Sequence, residues 1–376
     1  MLNRRTLRIK IMQTLFAYEQ CKEANYELGL DLIDERFSPD LNSMEIQDKP
    51  QLSKKRLDAR SLYLKQKDSQ VTQSQDSEIN EAISSAIKFY ENQTRKDFTF
   101  FKKNLVMDVE KIHHWYIRVL GLILALEELS QTDKKSDYSN FRNNLFVVAL
   151  KNDSTVQGLL LKHNLGWENE RNLVMNWFRD IVKPNDIFQD YLKSQAPTID
   201  DQKAIIKHLV RKLFLNDTAI NDYFQEKNIH WAEDHDIVKS LVEKTIKSLD
   251  PDSGKIQIQK LSMDWDDDLI FMNLLFEKTV QIEQANKELI ASNTRNWEVD
   301  RLPLTDRVTL EMAITELINF PSIPVKVTIN EYIELTKHYS TPKSAKFING
   351  ILDVIAKELV TTGKVKKSGK GLIDNK

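Results

Sequence analysis

Hydrophobic residues in the last third of the chain return at helical spacing. Val308, Leu310, Ala313, Ile314, Leu317 and Ile318 mark one helix. Thr305 is its expected N-cap, with Asp306 in the first turn, where negative charge suits the helix dipole. Pro321 stops it, because a helix does not run easily into a proline. After Pro324, the residues Val327, Ile329, Ile333, Leu335 and Tyr339 mark a second helix. Ser340 or Thr341 caps a third, with Pro342 near its first position. Ala345, Phe347, Ile348, Ile351, Leu352, Ile355 and Leu359 form the buried side of that third helix. Gly350 interrupts it, at about 1 kcal/mol relative to Ala, which implies another backbone packed close. Three helices with such short links make a compact helical unit.

The same period runs through the rest. Residues 3–24 read as one helix with Leu7, Ile11, Leu15 and Tyr18 on a stripe that Met12 and Phe16 widen. A short helix follows over Tyr26–Phe37. Residues 38–77 turn polar and read as a flexible linker, with a weak helix near Lys54–Leu64. Ser77–Gln131 reads as two helices breaking near Asn104, and the apolar run Val119–Leu126 as a buried core segment. Four or five shorter helices come next, punctuated by Gly166, Pro184, Pro197 with Thr198 as a cap, and Asn216. Pro251–Gly254 is a turn, Lys255–Leu261 is expected to be extended, and one helix is expected over Asp266–Ala291. Beyond Gly363 the tail is lysine-rich and is expected to be disordered.

The chain has 376 residues with 41% hydrophobic and 29% charged, ordinary for a soluble globular protein, and only 9 glycines and 9 prolines. That is too few turn residues for a β-rich fold, so the expected class is all-α. Cys21 is the single cysteine, which excludes an internal disulfide or a multi-cysteine zinc site and favours a cytoplasmic location. Net charge is -2, so any nucleic-acid contact must rest on a local patch. Such a patch exists at the start of the chain. Arg4 and Arg8 lie one turn apart, Arg5 and Lys10 extend the charge, and no acid precedes Glu19. Positive charge at a helix N-terminus opposes the dipole, which points to an external anion, although a solvated terminus is the simpler reading.

Enzymatic signatures are absent. The G-x-G at Gly369–Gly371 lies in the tail, away from any strand-to-helix turn that cradles phosphate. Adjacent His113 and His114 point to different faces, and the spacing of His230 and His235 does not suit a ligand pair on one helix. Asp264, Asp266, Asp267 and Asp268 precede a helix and read as caps and dipole partners rather than an acid–base pair. Trp115, Trp167, Trp177, Trp231, Trp265 and Trp297 are scattered and read as core. No catalytic residue, metal or cofactor is expected.

The stretch DRVTLEMAITELINFPSIPVKVTINEYIELTKHYSTPKSAKFINGILDVIAKEL resembles the C-terminal half of the NusB family of transcription antitermination factors, most tellingly in IPVKVTINEYIELTKHY and KFINGILD. The opening RRTLRIKIMQTLFAYEQ resembles the family's arginine-rich first helix. The resemblance implies a factor that binds boxA-type single-stranded RNA together with ribosomal protein NusE, and through them works with other elongation factors and RNA polymerase on ribosomal RNA operons. The positions matching the family's RNA surface are Arg4, Arg5, Arg8, Lys343 and Lys346. Those matching its NusE surface are Phe16 and Asp306, although Glu311 stands where the family often has a basic residue. The domains implied are a basic helix over 1–25, a helical insertion over 26–261 with its linker at 38–77, a C-terminal helical domain over 262–362 and the tail 363–376. The alternatives are a helical scaffold whose insertion binds another partner, and an accessory to ribosomal RNA modification.

Overall fold

The computed structural model describes residues 2–42, 44, 46–67, 74–294 and 301–375. Trp297 and parts of the expected 38–77 linker lie outside them. The described residues are all-α, with no strand among them beyond one isolated bridge between Asp250 and Lys255. The helices are α1 Arg4–Arg36, α2 Lys49–Lys67 and α3 Ser77–Thr132, followed by α4 Ser139–Arg142, α5 Leu145–Asn152 and α6 Ser154–Lys162. Next come α7 Arg171–Trp177, α8 Asp186–Lys193, α9 Ile199–His208, α10 Thr218–Lys227 and α11 Trp231–Lys247. The series closes with α12 Trp265–Gln281, α13 Glu283–Asn293, α14 Leu304–Asn319, α15 Val325–Tyr339 and α16 Pro342–Thr361. No helix among the described residues is long and apolar enough to cross a membrane.

Several boundaries differ from the sequence reading. The expected helices over 3–24 and Tyr26–Phe37 are one helix, since nothing between them breaks the ladder. The expected break near Asn104 is absent, and α3 runs 56 residues. The helix expected over Asp266–Ala291 divides at Ile282 into α12 and α13. Thr198 caps α9 as expected, in a reciprocal capping box with Asp201.

The chain divides into two compact units. The first takes Met1–Leu7 and Met107–Asp268, so the expected insertion is itself divided. Its core is the later part of α3, with Tyr116, Val119, Leu120, Ile123 and Leu126 buried among side chains of α5 to α11. The core is rich in aromatics: Phe224 stacks on Trp231 with centroids 4.5 Å apart, and Trp167 meets Trp177 edge-on at 5.6 Å. Trp167, Trp177 and Trp231 are buried as expected.

The second unit takes Arg8–Val106 and Leu269–Lys376. One part is a small cluster of α1, α2 and early α3, in which Tyr26, Leu30, Ile33 and Phe37 pack on Tyr63, Ile79 and Ile83. Tyr26 and Tyr63 stack at 4.7 Å, and the Tyr26 hydroxyl donates to the Tyr63 carbonyl at 3.1 Å. The other part is a bundle around α14, which is buried nearly all round from Val308 to Leu317. That explains why a helix with polar positions at Thr309, Glu311, Thr315 and Glu316 sits centrally: Thr309 and Thr315 each turn their hydroxyl back to a carbonyl four residues earlier. The tail expected to be disordered docks here instead. Lys367 Nζ donates to the carbonyls of Leu317 and Phe320, both at 3.0 Å, where the end of α14 leaves carbonyls without helical partners.

Two glycines separate by what surrounds them. Gly350 was expected to meet a neighbouring backbone, but a Cβ there meets nothing within 4 Å. A Cβ at Gly29 would fall 2.2 Å from the hydroxyl of Tyr63, which is buried and held by its stack on Tyr26. Gly350→Ala should therefore stabilise the protein by roughly 0.5–1 kcal/mol, and Gly29→Ala should destabilise it by about 1–3 kcal/mol through overpacking. Chemical denaturation of the two variants checks both signs.

Candidate nucleic-acid interface and the buried pair beneath it

Of the residues singled out in the sequence, Arg4 and Arg5 belong to the first unit. Arg8, Phe16, Asp306, Lys343 and Lys346 belong to the second. In the first unit, Arg4 pairs with Asp267 and, at 3.4 Å, with Asp268. The acidic cluster therefore caps and pairs: Asp264 Oδ1 accepts from the Asp267 N–H at 3.1 Å at the start of α12, while Asp268 accepts from the Ser262 hydroxyl. Arg5 is exposed.

In the second unit, α16 begins at Pro342, with the Thr341 hydroxyl accepting from Ser344 N–H as N-cap. Lys343 and Lys346, three residues apart on its first turns, are both exposed. They add positive charge where the dipole already is positive, so the site attracts anions and gains nothing locally from the lysines.

Arg8 corrects the expectation of a surface contact. It is 2% exposed, and its guanidinium forks onto Glu316, Nε to Oε2 at 2.7 Å and Nη2 to Oε1 at 2.8 Å. Glu316 is itself fully buried and accepts from Thr328 Oγ1 at 2.9 Å and Tyr332 Oη at 3.1 Å. Glu331 lies 3.5 Å from Arg8, and the guanidinium sits over the rings of Phe271 and Tyr332. Burial alone would make Arg8 give up its proton more readily, but the hydrogen bond and charge of Glu316 reverse this and hold it protonated. Burial and then Glu316 push the Tyr332 hydroxyl well above its ordinary range, so it stays a donor.

Glu316, Thr328 and Tyr332 were missed in the sequence. The buried face of α15 runs through Thr328, Ile329, Tyr332, Leu335 and Thr336, whereas Val327 is 43% exposed. The available signal was the carboxylate at 316, set among Ala313, Ile314 and Leu317 on an apolar stripe.

The expected partner-binding pair also separates. Phe16 is 38% exposed on α1, but Asp306 is 2% exposed and its Oδ1 is buried without a hydrogen-bond partner. Thr305 is not the cap expected: α14 starts at Leu304, behind Pro303 in extended geometry. Nearby, Glu311 is buried, and burial pushes its carboxyl up to about 8; Arg307 pulls it down, while Glu283 and Glu19 push it further up. Glu19 is bridged to Arg307 at 2.9 Å and to Lys22 at 2.9 Å, and Lys22 also pairs with Glu283 at 2.5 Å. No group of His, Cys, Asp or Glu among the described residues is arranged to hold a metal.

Arg8→Met strands Glu316 in the interior and should destabilise the protein by about 3–5 kcal/mol, whereas Arg8→Met with Glu316→Leu should recover most of that loss. Urea titration of the wild type, both single variants and the double variant checks the coupling. Glu311 gives a pH dependence of definite sign. The folded protein keeps its proton up to about pH 8, while the unfolded chain releases it near 4.5, so stability should fall as pH rises through that window. Glu311→Gln should flatten that slope in melting curves.

Residues 243–357 match the NusB family. The Transcription antitermination protein NusB of Salinibacter ruber (strain DSM 13855 / M31) is 42% identical over 103 residues, 27% of this chain and 64% of that protein. Its namesake from Chloroherpeton thalassium (strain ATCC 35110 / GB-78) is 36% identical over 140 residues, 37% of this chain and 63% of that protein. The solved T. maritima NusB is 34% identical, with 28% of this chain and 75% of that one covered, at a TM-score of 0.26, too poor a superposition to bear on the fold. The chain spans 64% or less of the length of these two curated relatives. Residues 243–357 are thus a NusB family domain, carried in a chain whose extra N-terminal region is consistent with a large insertion.

Proposed function

We propose that this protein acts in transcription antitermination as a non-enzymatic RNA-binding factor, engaging boxA-type single-stranded RNA together with ribosomal protein NusE. The observation that carries the reading is the pair of exposed lysines, Lys343 and Lys346, on the first turns of α16 within the stretch that matches the NusB family. Two relatives matching over part of this chain are named transcription antitermination proteins. In the first unit, taken by itself, exposed Arg5 is a proposed phosphate contact, and Arg4 is one only by exchanging its carboxylate partners for phosphate. Arg8 acts from beneath, by holding α14 and α15. Exposed Phe16 is the proposed NusE contact, while buried Asp306 lies in the first turn of α14, out of a partner's reach as the helix stands.

The two phosphate contacts on α16 make a weak grip on RNA alone. The logarithm of affinity for that grip should fall by only about 1.4 per decade of salt, and Lys343→Gln with Lys346→Gln should remove that slope. NusE should tighten binding. Filter-binding of a boxA-like RNA across a salt series, with and without NusE, checks all three expectations. Equal affinity with and without NusE would sink the joint reading, and wild-type affinity in the double lysine variant would move the RNA off α16.

A further inference from the structure

The first unit holds a half-open cleft of about 440 Å³, lined by Asp108, Lys111, His114, Trp115 and Arg118 of α3, by Leu165, and by Lys227–His230 between α10 and α11. We propose that this cleft binds a small phosphorylated ligand the size of a nucleoside monophosphate. The inference stands apart from the RNA reading, since it uses none of the residues assigned to RNA.

Charge is the first argument. Lys111, Arg118 and Lys227 line the cleft with one carboxylate, Asp108, and with the imidazoles of His114 and His230. Asp108 pairs with Lys111 at 2.7 Å and stands 3.8 Å from His230, and Glu170 meets Arg118 at 2.9 Å, so the cationic excess rests on Lys227. A cleft of one sign with apolar walls focuses its field on an incoming anion.

Unmet donors are the second argument, and it is independent of the first. The indole N–H of Trp115 and the Nε–H of Arg118 are both buried without an acceptor, and both residues line the cleft. A buried donor left unpaired costs about 1–3 kcal/mol, so two beside one cleft ask for a ligand rich in acceptors. The rest of Arg118 is fixed. Its Nη2 donates to Tyr223 Oη at 2.6 Å and meets Glu170 at 2.9 Å, and its guanidinium lies 4.3 Å from the Trp167 ring centroid. The opposite wall is held as firmly: Asn228 donates to Asp234 at 3.0 Å and accepts from His230 N–H at 3.1 Å. Both unmet N–H groups are closed to water, so a ligand reaches them only as the lining side chains shift.

Size and lining supply the ligand class. The volume falls within the usual range for small-molecule sites, about 300–1,000 Å³. It exceeds what a lone phosphate fills, and the walls at Trp115, Leu165 and Ile229 are apolar. A phosphate for the cations and donors, joined to a flat base whose faces lie against those walls, meets both demands. His114 fits the same picture: its ring lies 4.5 Å from that of His163, and burial followed by that neighbour lowers its proton affinity, which a bound phosphate would restore.

The test is calorimetric titration of the full chain with uridine monophosphate, inorganic phosphate, uridine and a short single-stranded RNA. The monophosphate should bind saturably at one site, phosphate more weakly, and uridine not at all. Lys111→Gln with Lys227→Gln, both exposed, should weaken monophosphate binding roughly tenfold or more without lowering the melting temperature. Trp115→Phe keeps the ring, loses the N–H, and should weaken binding about threefold to tenfold. By NMR, the His114 pKa should rise on binding. Absence of saturable monophosphate binding, binding unchanged in the lysine double variant, or binding by the RNA alone would overturn the proposal.

Discussion

A guanidinium removed from water has to be met by a carboxylate, and in this protein both partners are fully enclosed. Arg8 from α1 and Glu316 from α14 form a two-bond fork, and Thr328 and Tyr332 of α15 complete the carboxylate's remaining capacity. Every polar atom added to the interior increases the demand for the next, and here the chain of demands closes. The same side chains hold three helices in register, because neither charge can leave without stranding the other. The surrounding apolar stripes would tolerate a range of helix placements; the fork does not.

That arrangement divides the cationic residues of the chain by task. Arg8 is committed inside. Arg4 already has two carboxylates beside it. In the second unit the exposed lysines among the proposed contacts are Lys343 and Lys346, a small number on a molecule of net charge -2. Exposed lysines attract any phosphate chain alike, so charge by itself supplies attraction and no sequence preference.

The all-α class and the last three helices were legible because proline and threonine punctuation is local: Pro321, Pro324 and Pro342 act on their own residues. What was not legible depended on distant residues. Arg8 looks like an exposed cation until Glu316 is placed against it, and no period reveals a partner that far along the chain. The α15 face was misread because Thr328 and Tyr332 are buried for Glu316 and not for their own hydrophobicity. Gly29 and Gly350 look alike in sequence, and only the position of Tyr63 tells them apart. The tail reads as solvated lysines, yet Lys367 finds two open carbonyls at the end of α14.

The Arg8–Glu316 bond joins residues 308 positions apart. At about 5–20 residues per second of synthesis, the opening helix waits roughly 15–60 s on the ribosome before its counter-charge exists. All of Met107–Asp268, with a core of its own, emerges in that interval. Until then Arg8 lacks the carboxylate that meets it in the folded protein. Formation of that pair therefore waits on translation through Glu316.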